Sequence, residues 1–339
     1  MIRDTEAAAA HGNRDDTRAG PDKTLYHENN PAAPSRDLRR LGLGTAQFGL
    51  DYAIDCRETR PDEPQIAEIL AAAAASGMDV LDTAPAYGNA ETILGRTLPP
   101  THRFRIVTKT TAFPDDRMTP ANADALIDQF HRSLSALRVR SVYGLMIHKV
   151  DNLLGAGGGH LFEAMETLRA DGVAGKIGAS VYSADQIELI LDRFPIDLIQ
   201  LPVSILDQRL IESGHLRVLK QRGVEVHARS AFLKGLIFAD PAALPSHFGP
   251  VGNTLSELRF RAGEAGLDVA TAALTFLLDL DDIDTVLIGV TKTSQLAKVL
   301  DGVRESAGAR IRSPQSFSVA DPAIVNPALW PDFKTVAAQ

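Results

Sequence analysis

Cysteine is almost missing from this 339-residue chain: Cys56 stands alone, which excludes an internal disulfide and any cysteine-built metal cluster. A lone thiol suits a reducing compartment, so a cytoplasmic location is expected. Basic residues are also in deficit, with 35 Lys and Arg against 43 Asp and Glu and a net charge of −8. That is the wrong sign for a surface that neutralises phosphate backbones, and nucleic acid is not an expected partner. Long apolar runs are lacking too. The longest, Ile69 to Ala75, is mostly alanine and far short of the roughly 20 residues that cross a bilayer, so no membrane role is expected. The amino terminus carries Arg3, Asp4, Glu6, Arg14, Asp15 and Asp16 without an apolar core, which excludes reading it as a secretory signal.

Residues 1–37 mix Ala, Gly, Pro, Asn and both signs of charge without periodicity, the composition of a disordered arm. From Leu38 a different rhythm begins, in which short Val-, Ile- and Leu-rich runs alternate with longer helical stretches. Strands are predicted at Leu41 to Thr45, Val80 to Asp82, Arg105 to Lys109, Ser141 to His148, Lys176 to Ser180, Leu198 to Leu201, Glu225 to Arg229 and Thr285 to Gly289. Helical stretches separate them, with Asp268 as an expected N-cap and Gly77, Gly172 and Gly223 where helices end. Eight such units make either a doubly wound sheet or a closed (β/α)8 TIM barrel. A dinucleotide-binding doubly wound sheet needs a G-x-G-x-x-G turn after its first strand. Here Gly42-Leu43-Gly44-Thr45-Ala46-Gln47 has no third glycine, so a single barrel over residues 38–312 is predicted. Residues 313–339, with four prolines, are expected to pack on the barrel exterior with Trp330 as anchor. Leu236 to Gly252 reads as a long proline-rich loop, ordered or disordered. Gly157-Gly158-Gly159 lacks the Lys-Ser/Thr of a phosphate loop and reads as a flexible linker.

In a parallel barrel the carboxyl ends of the strands converge on one face, where barrel enzymes place their sites. That filter selects Asp82, Lys109 and His148 at the ends of the second, third and fourth strands, with Tyr87 in the loop after the second. Each alone has an ordinary reading: a turn or cap for the aspartate, a surface position for the lysine or tyrosine. Together they bring four groups capable of proton chemistry to one mouth. His227, inside the seventh strand, reads as a satisfied core histidine or a neighbour of the site.

These residues carry a family likeness. Asp82-Thr83-Ala84-Pro85-Ala86-Tyr87-Gly88 with Glu91 and Leu94-Gly95, then Val107-Thr108-Lys109, then Ile147-His148, resembles the aldo-keto reductases, and the similarity runs from about Leu41 to Leu300. The resemblance implies reduction of an aldehyde or ketone by hydride transfer from NADP or NAD in its reduced form, acting on a small-molecule carbonyl substrate. It implies that Tyr87 protonates the carbonyl oxygen, Lys109 lowers the Tyr87 pKa, Asp82 orients Lys109, and His148 hydrogen-bonds the carbonyl oxygen. It further implies a cofactor track through Gly44 and Thr45, Ser180, Gln200, the Arg229, Ser230 and Phe232 segment, and Gly289, Thr291, Lys292 and Gln295 before the last barrel helix.

Three departures stand against that pattern. A typical member holds the nicotinamide amide with Ser-Asn after the fifth strand, and this chain reads Ser180-Val181, losing one amide. An aromatic residue usually stacks beneath the nicotinamide after the seventh strand, and Arg229 stands there, as a stacking plane, a partner for a substrate anion, or a structural ion pair. Lys292 is the one obvious cation for a 2′-phosphate, so NAD and NADP both stay open. Gly44 to Tyr52 resembles bacterial members associated with carbohydrate metabolism. The long arm and Val181 motivate a second function, an NAD(H)-binding regulator acting through a protein partner, similar to the KidO-type cell-division regulators of bacteria.

Overall fold

Small polar residues start several helices of this chain, with a proline in the first turn of some. Asp62 accepts from the Gln65 backbone N–H at 2.9 Å while Gln65 reaches back to the Asp62 N–H at 3.0 Å, a reciprocal cap before the helix Glu63–Ala75. Asp268 accepts from Thr271 N–H at 2.7 Å at the start of Val269–Leu278, as expected. Gly77, Gly172 and Gly223 have φ of +90°, +72° and +71°, the left-handed backbone that ends helices at low steric cost.

The computed structural model describes residues 36–50 and 60–331. Residues 1–35 of the expected arm, Asp51, Tyr52 and Cys56, and residues 332–339 of the tail lie outside that range. Eight parallel strands close in sequence order: β1 (Leu41–Gly44), β2 (Val80–Asp82), β3 (Arg105–Lys109), β4 (Val142–Ile147), β5 (Ala174–Ser180), β6 (Leu198–Pro202), β7 (Glu225–Arg229) and β8 (Thr285–Ile288), which pairs back with β1. Helices Glu63–Ala75, Ala90–Thr97, Pro120–Leu137, Gly158–Ala170, Ala184–Arg193, His215–Gln221 and Thr293–Glu305 cover the outside. The pair Gly252–Glu264 and Val269–Leu278 lies between β7 and β8. The predicted (β/α)8 barrel is the fold.

Inside the barrel, Val80, Val107, Met146, Leu198 and Leu287 form a core of their own. Glycines make room for it: a Cβ at Gly42 would sit 2.8 Å from Leu287, and one at Gly144 2.8 Å from Leu198. The amino-terminal end is closed by a polar plug. Tyr143 donates to Glu225 at 2.6 Å, Lys176 pairs with the same carboxylate, and the Arg105 guanidinium stacks on Tyr143 at 4.8 Å. His227 joins this plug through a 2.8 Å contact between its Nε2 and Glu225, at the register position of Gln200 on β6. The expectation of a satisfied core histidine holds for one nitrogen only, since buried Nδ1 has no partner among the described residues.

Two segments differ from the sequence reading. Gly157-Gly158-Gly159 is not a flexible linker: Gly157 caps and Gly158 opens the helix Gly158–Ala170, and a Cβ at Gly158 would lie 1.8 Å from the Leu153 carbonyl. The run read as a long loop folds into 3-10 turns, Leu233–Phe238, Pro241–Ala243 and Ser246–Val251, that bury Leu236, Ile237, Phe248 and Val251. At the amino-terminal boundary, Arg36 is docked. It forms a two-pronged pair with Asp279, both bonds at 2.9 Å, and donates to Ser306 Oγ at 2.8 Å. In the tail, Phe317, Ile324 and Val325 are buried, and Trp330 meets Phe248 edge-on at 4.9 Å while donating to the Ile324 carbonyl. No helix among the described residues is long and apolar enough to cross a membrane.

Candidate active site

Asp82 is the last residue of β2 and Lys109 the last of β3, and the ladder staggers them so that Lys109 reaches across. Lys109 Nζ donates to Asp82 Oδ1 at 2.6 Å, to Tyr87 Oη at 3.1 Å and to the Thr83 carbonyl at 3.2 Å. The lysine side chain is 0% and the aspartate 6% exposed, so the ion pair is dry. A dry pair of this kind is tolerable only with its remaining donors and lone pairs engaged. Gln200, on β6, does part of that by donating to Asp82 Oδ1 at 2.7 Å. Tyr87 donates to Asp82 Oδ2 at 3.4 Å. His148, directly after β4, stands edge-on to the Tyr87 ring with centroids 5.9 Å apart, its backbone N–H bonded to Thr110 Oγ1. The fold therefore brings all four residues selected from the sequence to one mouth.

The electrostatics differ from expectation at Tyr87. Burial pushes its phenol well above 10, the Asp82 carboxylate adds to this, and the Arg229 cation opposes it. Lys109 does not reverse the balance, because Asp82 neutralises it at 2.6 Å. Tyr87 is thus a neutral phenol at physiological pH. Burial lowers His148 to about 4, helped by the Lys109 charge, so its imidazole is neutral as well.

Thr45 is wholly buried and donates through Oγ1 to the Asp82 carbonyl at 2.9 Å, steadying the strand end that carries the aspartate. Gly44 ends β1 beside it. Ser180 ends β5 opposite Gln200, and its hydroxyl bonds no other described residue. Val181 is fully buried, its N–H bonded to the Gln200 carbonyl. Arg229 ends β7, donates to the Val181 carbonyl at 3.0 Å and stacks on Tyr182 at 4.2 Å, so it is no structural ion pair. Ser230 follows with φ +65°, and Phe232 packs on Phe238 with centroids 5.2 Å apart. Gly289 lies against Gln47, leaving no room for a Cβ without moving that side chain. Gln295 Oε1 accepts from the Thr291 N–H at 2.8 Å and the Lys292 N–H at 3.2 Å, which caps the helix Thr293–Glu305, and Lys292 is exposed.

The sequence reading missed Tyr182 and the tie from Gln200 to Asp82. Tyr182 lies two residues past the end of β5, where the same strand-end filter would have selected it. A nicotinamide dinucleotide fits this lining in part: Ser180 offers an uncommitted hydroxyl at a strand end, whereas the Val181 side chain offers no polar group and one of the two Gln200 amide N–H groups is engaged by Asp82. Among the described residues no cluster of His, Cys, Asp and Glu would hold a metal ion.

Comparison with known proteins agrees with this arrangement. The aldo/keto reductase family model matches residues 40–305. The aldo-keto reductase YhdN of Bacillus subtilis is 24% identical over 284 residues, 77% of this chain and 83% of its own. The NADH-specific methylglyoxal reductase of Escherichia coli is 24% identical over 293 residues, 76% of this chain and 88% of its own. Among solved structures, an aldo-keto reductase from Bacillus halodurans in its holo form superimposes with a TM-score of 0.62 at 20% identity, covering 86% of this chain and 95% of that one. The chain belongs to the aldo/keto reductase family and is an NAD(P)-dependent oxidoreductase of carbonyl compounds.

Proposed function

We propose that Tyr87 is the general acid of a carbonyl reduction carried out at this mouth, with Lys109, Asp82 and His148 in supporting roles. The observation that carries the reading is the dry chain from Asp82 through Lys109 to Tyr87, with His148 beside the same phenol. When bound, a reduced nicotinamide supplies the hydride that the carbonyl carbon receives. As charge builds on the carbonyl oxygen, the Tyr87 hydroxyl gives it a proton, since a developing alkoxide is more basic than a phenolate. Lys109 at 3.1 Å stabilises the phenolate left behind, and Asp82 keeps the ammonium aimed. His148, neutral, donates a hydrogen bond that fixes the carbonyl oxygen without competing as an acid. For the cofactor we assign Ser180 to the carboxamide and Lys292 to a 2′-phosphate. The regulatory reading rests on Val181 and on an arm whose residues 1–35 are outside the described range.

The test is steady-state oxidation of NADH and NADPH over a panel of aldehydes and ketones, with Tyr87→Phe beside the wild type. The variant is expected to bind cofactor normally by fluorescence titration and to lose at least about a hundredfold in turnover, the low end for general acid catalysis. Equal turnover would remove Tyr87 from the mechanism.

A further inference from the structure

Several arginines that are shielded from solvent elsewhere in this chain meet a carboxylate or a set of backbone carbonyls. Arg36 and Arg209 meet carboxylates, while Arg40 and Arg259 each reach three backbone carbonyls. Arg229 does neither. It donates once to the Val181 carbonyl at 3.0 Å and once, weakly, to Ser230 Oγ at 3.4 Å, and among the described residues no carboxylate pairs with it. A guanidinium carries five N–H donors, so most of its edge is uncommitted. Stacking on Tyr182 holds the plane in place.

Position gives that edge its meaning. Arg229 ends β7 on the face that carries Tyr87 and His148, and its charge acts on both. Asp82 and Lys109 cancel one another, and Tyr87 and His148 are neutral at physiological pH. Among these groups, Arg229 is then the one whose charge no described carboxylate cancels. A half-buried cation without a counterion costs solvation energy that a ligand anion can recover. The oxidised nicotinamide, itself positive, would be repelled there, and the reduced ring is neutral, so neither ring offers that anion; the cofactor's diphosphate is the rival anion, which titration into the NADH-saturated chain separates from a substrate group.

We propose that Arg229 is the substrate-recognition residue of this site and that the carbonyl substrate carries an anionic group, a carboxylate or a phosphate, received by the free edge of its guanidinium. The inference rests on the carbonyl reduction proposed above and adds the substrate class to it. A planar fork matches a carboxylate with two parallel bonds. Val181 contributes through its backbone, because its carbonyl holds one arm of the guanidinium and leaves the rest facing the mouth.

Binding without turnover tests this separately from the reaction. Oxamate and succinamate, and their neutral counterparts oxamide and succinamide, are titrated calorimetrically into the full chain saturated with NADH. The expected result is at least about tenfold tighter binding of a carboxylate than of its neutral amide, as for a charge-assisted pair. Arg229→Gln should abolish that preference, and Arg229→Lys should keep part of it. The proposal is overturned if wild type binds the carboxylates no better than the amides, or if Arg229→Gln keeps the preference. A tenfold loss of NADH affinity with the preference intact would assign Arg229 to the cofactor instead. Should Arg229→Gln fail to give the wild-type circular dichroism spectrum, Arg229→Lys and the salt dependence of wild-type oxamate binding decide. Affinity insensitive to both refutes an ionic contact. Failure of the reduction itself would show only in the Tyr87→Phe comparison, which these titrations do not use.

Discussion

His148 shows what burial does to one side chain. Its ordinary value of 6.5 falls to about 4 in the fold. Between those two values the unfolded chain takes up a proton that the folded chain refuses, so the unfolded state binds more protons and stability falls as pH falls. Above about 6.5 both states are neutral at this position and the contribution vanishes. His148→Asn should therefore reduce the acid-side slope of stability by up to about 1 kcal/mol per pH unit between pH 6.5 and 4. Urea unfolding at several pH values measures it, and parallel slopes in wild type and variant would contradict the assigned burial. At the other end of the cofactor track, Lys292→Ala should weaken NADPH binding by about 1 to 3 kcal/mol and leave NADH nearly unchanged. Similar losses for both cofactors would place Lys292 on their shared phosphates or in folding.

Among the elements, the helix Gly158–Ala170 shows how tightly the barrel exterior is assembled. Two adjacent glycines at its start carry opposite expectations. A Cβ at Gly158 would come 1.8 Å from the Leu153 carbonyl, whereas one at Gly159 meets nothing within 4 Å. Gly158→Ala should destabilise the protein by about 1 to 3 kcal/mol, the range for overpacking a close contact. Gly159→Ala should be neutral or stabilise by up to about 1 kcal/mol, through helix propensity and lower chain entropy. Chemical denaturation of the two variants settles it, and equal midpoints would refute the packing argument. The strand ends work similarly at the mouth. Asp82 pairs with Val107, which leaves Lys109 one pleat further on and on the same face, so a shift of one residue in either strand would turn one of them away.

At the scale of the whole molecule, closure between β1 and β8 brings the segment before β1 against the end of the helix Val269–Leu278. Arg40 donates to the carbonyls of Leu278, Leu280 and Ile283, and Arg36 pairs with Asp279, which also receives Arg310 at 2.7 Å. Arg36 is 5% and Asp279 17% exposed in their side chains, so water does not readily replace the pair. Arg36→Ala should lower stability by about 1 to 3 kcal/mol without changing carbonyl reduction, since the pair lies away from the residues at the mouth. Thermal unfolding read beside an activity assay checks both halves. An unchanged midpoint would mean that Arg310 alone satisfies Asp279.

The chain's own pattern was enough to reveal the barrel. Alternation of short β-branched runs with capped helices is a local property, and Asp62, Asp268, Gly77 and Gly223 write those boundaries into consecutive residues. The four residues at the mouth were legible for a related reason, because strand order and strand polarity decide which ends converge. What consecutive residues do not encode is the meeting of distant ones. Glu225 and His227 share a face of β7 with Arg229, yet Glu225 opens the strand where Arg229 ends it, and depth alone commits its carboxylate to Tyr143, Lys176 and His227. Gly157-Gly158-Gly159 looks like slack chain until Leu153 lies against it. The high proton affinity of Tyr87 depends on enclosure and on how far Asp82 has already neutralised Lys109, which are three-dimensional quantities. So is the half-committed state of Arg229: its residue type is plain in the sequence, but only the tertiary structure brings it Val181 and Tyr182 and, among the described residues, no carboxylate.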